Sequence, residues 1–230
     1  MNEAIVNHIK TNVKFLTAED AIRLISPAAT MMAGGFGLAG IPEYLLQAVV
    51  ERSDLRDLTM ITNSITVGSP LDKLCLQNRI KKVIGTYFTT NKEIVKAHRE
   101  GRLEIELLPL GTFVEAIRLG GAGIPAFYTP TAAGTDLGKG KETRIMNGRE
   151  HVLEHSLFAD VALIKAHKAD KAGNLIFHKT ARNFNSLMVT AANLTIVEVE
   201  EIVEIGEFNP ESIVTPFIYV DIIVIRGATK

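Results

Sequence analysis

The chain has little of what several specialised classes of protein need. Its 230 residues contain one cysteine and no tryptophan, and aromatic residues make up only 6%. A single cysteine excludes an intramolecular disulfide and a cysteine-based zinc site. The scarcity of aromatic residues disfavours a platform on which nucleobases stack. No apolar run approaches the roughly 18 to 20 residues that cross a bilayer, so no membrane segment is expected.

The chain also lacks an excess of either charge. It carries 25 Lys and Arg residues against 26 Asp and Glu residues, which gives a formal net charge of −1. This balance offers no electrostatic footprint for nucleic acid and no polybasic patch for a membrane, so neither is expected as a partner. The N-terminus has no basic region followed by an apolar run, so no signal peptide is expected. With the lone cysteine, this makes the cytoplasm the expected location.

Short apolar strands alternate with helices along the first half of the chain. The predicted strands cover 30–33, 58–62, 82–86 and 103–108, and the predicted helices cover 17–25, 43–50, 91–99 and 112–119, with one more starting at Ser69. This alternation predicts an α/β fold with a mostly parallel sheet covered by helices on both faces. Hydrophobic residues make up 47% of the sequence, enough for a sizeable core, and we expect one domain over 1–230.

The character of the sequence changes after residue 120. A glycine-rich turn region is followed by a predicted hairpin, in which Asn147-Gly148 forms a type I′ turn between two short strands. We expect this part, about 124–157, to be an excursion from the sheet. Beyond it we expect strands over 160–166 and 195–199, a short helix over 185–192, and a buried strand over 217–225.

A glycine-rich loop stands between the first long strand and its helix. Gly35-Phe36-Gly37-Leu38-Ala39-Gly40 matches G-x-G-x-x-G. A dinucleotide site needs an acidic residue about 20 positions later, after the second strand, and Asn63 stands there instead. Pro42 also removes an N–H group close to where a pyrophosphate would bind. Two interpretations remain, a tight turn that needs positive φ and a loop whose N–H groups meet a ligand. Residues 34–40 contain four glycines, which favours the second interpretation.

Other candidate residues carry weaker signals. The cysteine falls on the apolar face of a predicted helix, which favours a buried, inert thiol. His151 and His155 have the spacing of metal ligands but lack further ligands nearby, so no metal site is assigned. His167 follows a strand at the edge where α/β sites cluster. Arg182 and Asn183 either contact a partner or substrate or belong to a capping loop before a helix.

Several motifs occur in a fixed order along the chain. They are Met31-Met32-Ala33-Gly34-Gly35-Phe36-Gly37-Leu38-Ala39-Gly40-Ile41-Pro42, Gly111-Thr112 with Glu115, Arg118 and Gly120-Gly121-Ala122-Gly123, Thr129-Pro130-Thr131, Gly173-Asn174 and Ala181-Arg182-Asn183-Phe184-Asn185. In this order they resemble the α subunit of family I CoA-transferases, whose signature is G-G-F-x-x-x-G-x-P after an apolar strand. The resemblance covers the chain from about Thr17 to Ile225.

The resemblance implies an α/β sheet fold and a reaction. The family moves CoA from an acyl-CoA to a free carboxylate such as acetate, butyrate or a 3-oxoacid. A glutamate attacks the thioester, and an acyl–glutamyl anhydride and a glutamyl–CoA thioester follow. In the family this glutamate lies in the β subunit, in a Ser-Glu-Asn-Gly motif that this sequence does not contain. The resemblance therefore implies no catalytic residue here, a β-subunit partner in an α2β2 or similar hetero-oligomer, and CoA as substrate with no permanently bound cofactor.

The resemblance also implies which residues contact the substrate. The predicted CoA-binding residues are Gly34, Gly35, Phe36, Gly37, Leu38, Ala39 and Gly40, and the predicted substrate-pocket residues are Asn63 and Leu110. The family often has Pro-Gln-Gly-Thr where this chain has Pro109-Leu110-Gly111-Thr112. A glutamine donates a hydrogen bond to an acyl oxygen and a leucine cannot, so a more apolar acyl group is expected.

Two functions of other classes stay open at this point. One is a non-catalytic module that binds acyl-CoA or a nucleotide and acts alone. The other is a sugar-phosphate isomerase of related fold.

Overall fold

The computed structural model describes residues 13–227. Its strands are β1 (Lys14–Phe15), β2 (Thr30–Ala33), β3 (Leu58–Ile61), β4 (Ile80–Gly85), β5 (Glu104–Leu107), β6 (Ala126–Thr129), β7 (Thr143–Met146), β8 (Arg149–His155), β9 (Ala159–Lys165), β10 (Lys168–Asp170), β11 (Leu175–Ile176), β12 (Ala192–Val199), β13 (Glu201–Val203) and β14 (Ile222–Ile225). Its α-helices are α1 (Ala18–Ile22), α2 (Glu43–Glu51), α3 (Pro70–Leu76), α4 (Lys92–Arg99), α5 (Leu110–Gly121) and α6 (Asn185–Met188).

Eight strands form the main sheet, in the order β1-β14-β12-β9-β2-β3-β4-β5. Every neighbouring pair in this sheet is parallel, as the alternation of strands and helices predicted. From β2 the chain adds β3, β4 and β5 towards one edge, and it later adds β9, β12 and β14 on the other side. The direction of winding therefore reverses between β2 and β9, and such a switch point is where ligands of open α/β sheets bind.

Helices cover both faces of the sheet, as predicted. Successive residues of β2 point to opposite faces, so Met31 packs in one apolar cluster and Met32 in the other. The first cluster holds buried side chains of α1, α2, α3 and α4. The second holds those of α5 and α6, including Phe113 and Met188. None of the helices among residues 13–227 has both the length and the apolar character needed to cross a bilayer.

Local capping explains where several helices begin. The Thr17 hydroxyl accepts a hydrogen bond from the Asp20 N–H at 3.1 Å and donates one to the Asp20 carboxylate at 2.8 Å. Ser69 accepts from the Asp72 N–H at 3.2 Å, and Pro70 follows in the first turn. These side chains satisfy N–H groups that a helix start leaves without partners, and both helices begin where the sequence placed them.

The excursion between α5 and β9 forms a small antiparallel sheet in the order β6-β8-β7. Its hairpin turn has φ of 52° at Asn147 and 72° at Gly148, the two positive values that a type I′ turn requires. The third strand, β6, was not predicted. A second small sheet, in the order β11-β10-β13, was not predicted either.

Three predicted elements extend at one end by three or more residues beyond what the structure shows. The strand expected over 217–225 begins only at β14, because Phe217–Tyr219 form a 3₁₀ turn after Pro216. The helix expected over 185–192 ends at Met188, since the chain must turn back into β12. The first helix ends at Ile22, whereas the sequence placed its end at about Ile25.

Candidate functional site

A cleft of about 740 Å³ opens at the carboxyl edge of the main sheet. The segments that follow β2, β3, β4 and β5 form its walls, because the carboxyl ends of parallel strands meet at one edge. The lining residues are Phe36, Gly37, Asn63, Ser64, Ile65, Thr66, Val67, Thr86, Tyr87, Thr90, Leu107, Leu108, Pro109, Leu110 and Leu137. All of them are uncharged, so the described part of this cleft offers a ligand apolar surface and neutral hydrogen-bonding groups.

Four of the residues predicted from the sequence lie together in this cleft. Phe36 and Gly37 come from the glycine-rich loop, Asn63 follows β3, and Leu110 is the first residue of α5. Phe36 and Leu110 are 53% and 48% exposed, so each presents an apolar surface that a ligand can cover. The structure thus brings together residues that are up to 74 positions apart in the sequence, and their roles in binding stay predictions.

Asn63 is built into the floor of the cleft by hydrogen bonds. Its side-chain N–H donates to the Thr86 hydroxyl at 2.6 Å, and that hydroxyl donates to the Asn63 backbone oxygen at 3.1 Å. The Thr86 and Tyr87 N–H groups donate to the same backbone oxygen. Asn63 is only 5% exposed, so these contacts fix its side chain in one orientation beside the apolar walls.

The tip of the glycine-rich loop is a two-residue hairpin. The Phe36 and Ala39 backbones exchange two hydrogen bonds of 3.0 Å, with Gly37 and Leu38 at the turn. Gly37 has φ of +58°, and a Cβ there would meet no atom of the described chain within 4 Å. Leu38 is 82% exposed at the outermost point of the loop. Gly37 therefore stands where an added side chain would reach into space beside the cleft and not into the protein.

Gly34 and Gly40 have a different reason to be glycine. A Cβ on Gly34 would lie 1.8 Å from the Asn185 Oδ1 atom, and one on Gly40 would lie 2.4 Å from the Ala181 oxygen. The close approach that these two positions permit is therefore to residues 181–185 of the same chain. Asn183 contributes by donating from its side chain to the Ala39 oxygen at 3.0 Å. The polar cluster around Asn183 is thus a support of the loop in this structure.

A buried carboxylate occupies the N-terminus of α2, directly after the loop. Glu198 Oε2 accepts hydrogen bonds from the Tyr44 N–H at 2.8 Å and the Leu45 N–H at 3.2 Å. Glu198 is fully buried, and burial raises the pKa of its carboxyl group. In a dinucleotide fold these N–H groups would receive a pyrophosphate. Here the chain's own carboxylate fills that position, which adds a structural reason against a nucleotide module.

The remaining candidates lie away from the cleft lining. His167 Nδ1 lies 2.9 Å from Glu200 Oε2, and this hydrogen bond holds the pKa of the Glu200 carboxyl below its usual range. His151 and His155 both lie within β8, and among residues 13–227 no three His, Cys, Asp or Glu side chains are grouped to hold a metal. The cysteine, Cys75, is buried as predicted, and burial raises the pKa of its thiol to about 12.

Sequence reasoning missed part of the cleft. Thr86 and Tyr87 follow β4 just as Asn63 follows β3, so the rule that sites gather at carboxyl ends of parallel strands could have found them. Leu137 has no such signal, because it comes from the excursion and reaches the cleft only through the tertiary fold. Glu198 also lacked a signal, since a carboxylate in an apolar strand contacts a helix 153 residues earlier in the sequence.

Comparison with known proteins identifies similar chains. A family model described as Coenzyme A transferase matches residues 15–226. One subunit of the probable succinyl-CoA:3-ketoacid coenzyme A transferase of Bacillus subtilis is 47% identical over 215 residues, which cover 93% of this chain and 90% of that protein. The alpha subunit of the acetate CoA-transferase of Escherichia coli is 41% identical, and the match covers 94% of this chain and 99% of that one. Human mitochondrial succinyl-CoA:3-ketoacid coenzyme A transferase 2 is 42% identical, and the match covers 88% of this chain but only 43% of the human protein.

Solved structures with the same fold catalyse different reactions. Glutaconate coenzyme A-transferase from Acidaminococcus fermentans has a TM-score of 0.79 at 21% identity, over 92% of this chain and 75% of that one. The decarboxylase AibA/AibB has a TM-score of 0.79 at 23% identity, over 94% and 84%. At these identities the likeness concerns the fold alone, and a fold shared by a transferase and a decarboxylase does not select the reaction.

Proposed function

This chain belongs to the Coenzyme A transferase family, and from that premise we propose that it is the α subunit of a heteromeric enzyme that moves CoA between a short-chain acyl-CoA and a free carboxylate. The observation that carries the proposal is the family match over residues 15–226, together with 47% identity to one subunit of a related transferase. The uncharged cleft at the carboxyl edge of the sheet supports it, because a short acyl group is largely apolar.

The catalytic glutamate belongs to the partner in this proposal. The sequence contains no Ser-Glu-Asn-Gly motif, and the chain covers 43% of the human relative, which leaves more than half of that longer protein without a counterpart here. We therefore assign the motif to a β subunit that docks beside the cleft. An α2β2 or similar hetero-oligomer follows from that assignment.

The reaction then proceeds through two covalent intermediates. The partner's glutamate carboxylate attacks the thioester carbonyl carbon, which forms an acyl–glutamyl anhydride and releases CoA as its thiolate. The thiolate attacks the glutamyl carbonyl carbon of the anhydride, which forms a glutamyl–CoA thioester and releases the first acyl group as a free carboxylate. An incoming carboxylate reverses both steps and leaves as the new acyl-CoA.

This chain's contribution is to bind and orient the acyl group. Phe36 and Leu110 supply apolar surface, and Asn63 with Thr86 supplies a fixed polar point. Covering these side chains with substrate removes water from the thioester. Exclusion of water strengthens every electrostatic interaction with the negative charge that develops in the transition state.

The proposal is tested by co-expressing the chain with a partner that carries the Ser-Glu-Asn-Gly motif. The purified complex is assayed with acetyl-, butyryl-, acetoacetyl- and succinyl-CoA against the corresponding free carboxylates. Incubation with acyl-CoA in the absence of an acceptor should add the mass of CoA less one water to the partner, which mass spectrometry detects. A complex that transfers CoA to none of the carboxylates contradicts the proposal.

We expect Gly37→Asn to lower the kcat/KM of the assembled enzyme by about tenfold or more, since a misplacement of about 1 Å in a positioned group is enough for that loss. Asparagine tolerates the left-handed backbone at Gly37, so the variant adds a side chain beside the cleft without the strain that valine would bring. The measurement is steady-state kinetics on the complex, with assembly checked by size-exclusion chromatography.

Gly101→Asn is the matched control for this variant. Gly101 has a similar φ of +71° and equally open surroundings, but it lies in the turn between α4 and β5, at the opposite edge of the sheet. The control should keep the activity of the unmodified complex. If Gly37→Asn has the same kcat/KM as Gly101→Asn and the unmodified complex, the loop is a simple tight turn and does not meet a ligand.

A further inference from the structure

Asn185 joins three separate segments around the base of the glycine-rich loop. Its Oδ1 accepts a hydrogen bond from the Lys165 N–H at the end of β9, at 3.0 Å. Its Nδ2 donates to the Gly40 oxygen and to the Ala181 oxygen, both at 2.9 Å. The side chain is fully buried, so water does not compete for these bonds.

The chemistry of the partners fixes which way this side chain faces. A backbone N–H must meet an oxygen and two carbonyl oxygens must meet an N–H₂ group, so only one orientation of the amide satisfies all three. Gly34 leaves the space for it, because a Cβ at that position would overlap Oδ1. The amide is therefore hydrogen-bonded to the loop at Gly40 and packs closely against it at Gly34, at the switch point between β2 and β9.

Phe184, the residue before Asn185, also holds the glycine-rich loop in place. The Phe184 ring stacks on Phe36 with 6.1 Å between centroids, and it meets Phe113 edge-on at 5.5 Å. Phe36 lines the cleft, so the segment 184–185 packs directly against a residue of the cleft wall.

We propose that Asn185 is a positioning residue for CoA transfer: its amide holds the Gly34–Gly40 loop against the end of β9, and thereby sets the position of Phe36 and Gly37 beside the reacting acyl group. The reaction it serves is the one proposed above. Its effect passes through the loop, since Asn185 itself is buried beneath it and is not among the residues that line the cleft.

Asn185→Ala should lower the kcat of the assembled complex by about tenfold or more, because the loop then samples positions that misalign the acyl group. The KM for the carboxylate should change less than kcat. On the full chain without partner, hydrogen exchange should become faster at the Phe36 and Ala39 amides, which close the hairpin of the loop.

Two further variants separate hydrogen bonding from packing. Gly34→Ala alone should damage the loop through the overlap with Oδ1, whereas Gly34→Ala combined with Asn185→Ala removes the overlap and fills part of the space. The double variant should remain slow, because it still lacks the amide. Full recovery of kcat in the double variant would mean that only packing matters and would overturn the proposal.

Asp160→Ala is the matched control. The Asp160 carboxylate accepts from the Thr30 N–H at 2.8 Å, so it also links β9 to β2, but at their amino ends. The Asp160→Ala substitution should lower thermal stability without changing kcat or hydrogen exchange in the glycine-rich loop. A complex without any CoA transfer would contradict the proposed function, while unchanged loop exchange in Asn185→Ala would contradict the positioning role separately.

Discussion

The isolated chain is expected to show no detectable CoA transfer. The loss of a covalent nucleophile typically lowers turnover by a factor on the order of 10⁴ or more, so any residual activity should lie at least that far below the activity of the complex with its partner. Neither of the acidic residues that could be considered replaces it. Glu115 lies 2.9 Å from Arg118 in an exposed ion pair on α5 and is not part of the cleft lining. Glu198 is buried and accepts hydrogen bonds at the start of α2, so it cannot reach a thioester.

The measurement compares the chain alone, the partner alone and the two together with the same acyl-CoA and carboxylate. A partner whose Ser-Glu-Asn-Gly glutamate is replaced by glutamine serves as the control, because it assembles with this chain but lacks the nucleophile. That complex should be as inactive as the single chain. Turnover by the highly purified single chain would require a nucleophile within these 230 residues. It would refute the assignment of the catalytic glutamate to the partner subunit.

The main sheet could be predicted from the sequence because its signals are local. The residues of β2 and β9 form short apolar runs, which is typical of strands buried on both faces. Thr17 and Ser69 mark helix starts by their own side chains, and the structure shows both caps. The position of Asn63 directly after a strand was also enough to expect it at the carboxyl edge.

What could not be predicted depends on contacts between distant residues. Asn185 meets Gly40 across 145 positions, and Glu198 meets Tyr44 across 154. No pattern within a window of 20 residues contains such a contact. The two strands Lys168–Asp170 and Leu175–Ile176 escaped detection for another reason, because at three and two residues they are too short to show a period.

Leu110→Gln is expected to shift specificity by about tenfold from butyryl-CoA towards acetoacetyl-CoA, the change that one hydrogen bond of roughly 1.4 kcal/mol produces. Leu110 is half exposed at the first position of α5 and lines the cleft together with Leu107 and Pro109. Burial against this apolar wall stabilises each methylene of an acyl chain by roughly 0.8 kcal/mol. The keto oxygen of an acetoacetyl group finds no donor on a leucine side chain, and a glutamine amide supplies one.

The measurement is kcat/KM for butyryl-CoA and acetoacetyl-CoA with a common acceptor, in the original complex and in the variant. Glutamine forms helices about as well as leucine, so α5 should keep its first turn and the change should stay local. Leu76→Gln provides the control, because Leu76 is also a half-exposed leucine at a helix end, 54% exposed, but it is not among the residues of the cleft. The ratio of the two specificity constants should move only in the Leu110 variant. If it stays the same there, residue 110 does not contact the acyl group and the expected preference for apolar acyl chains is wrong.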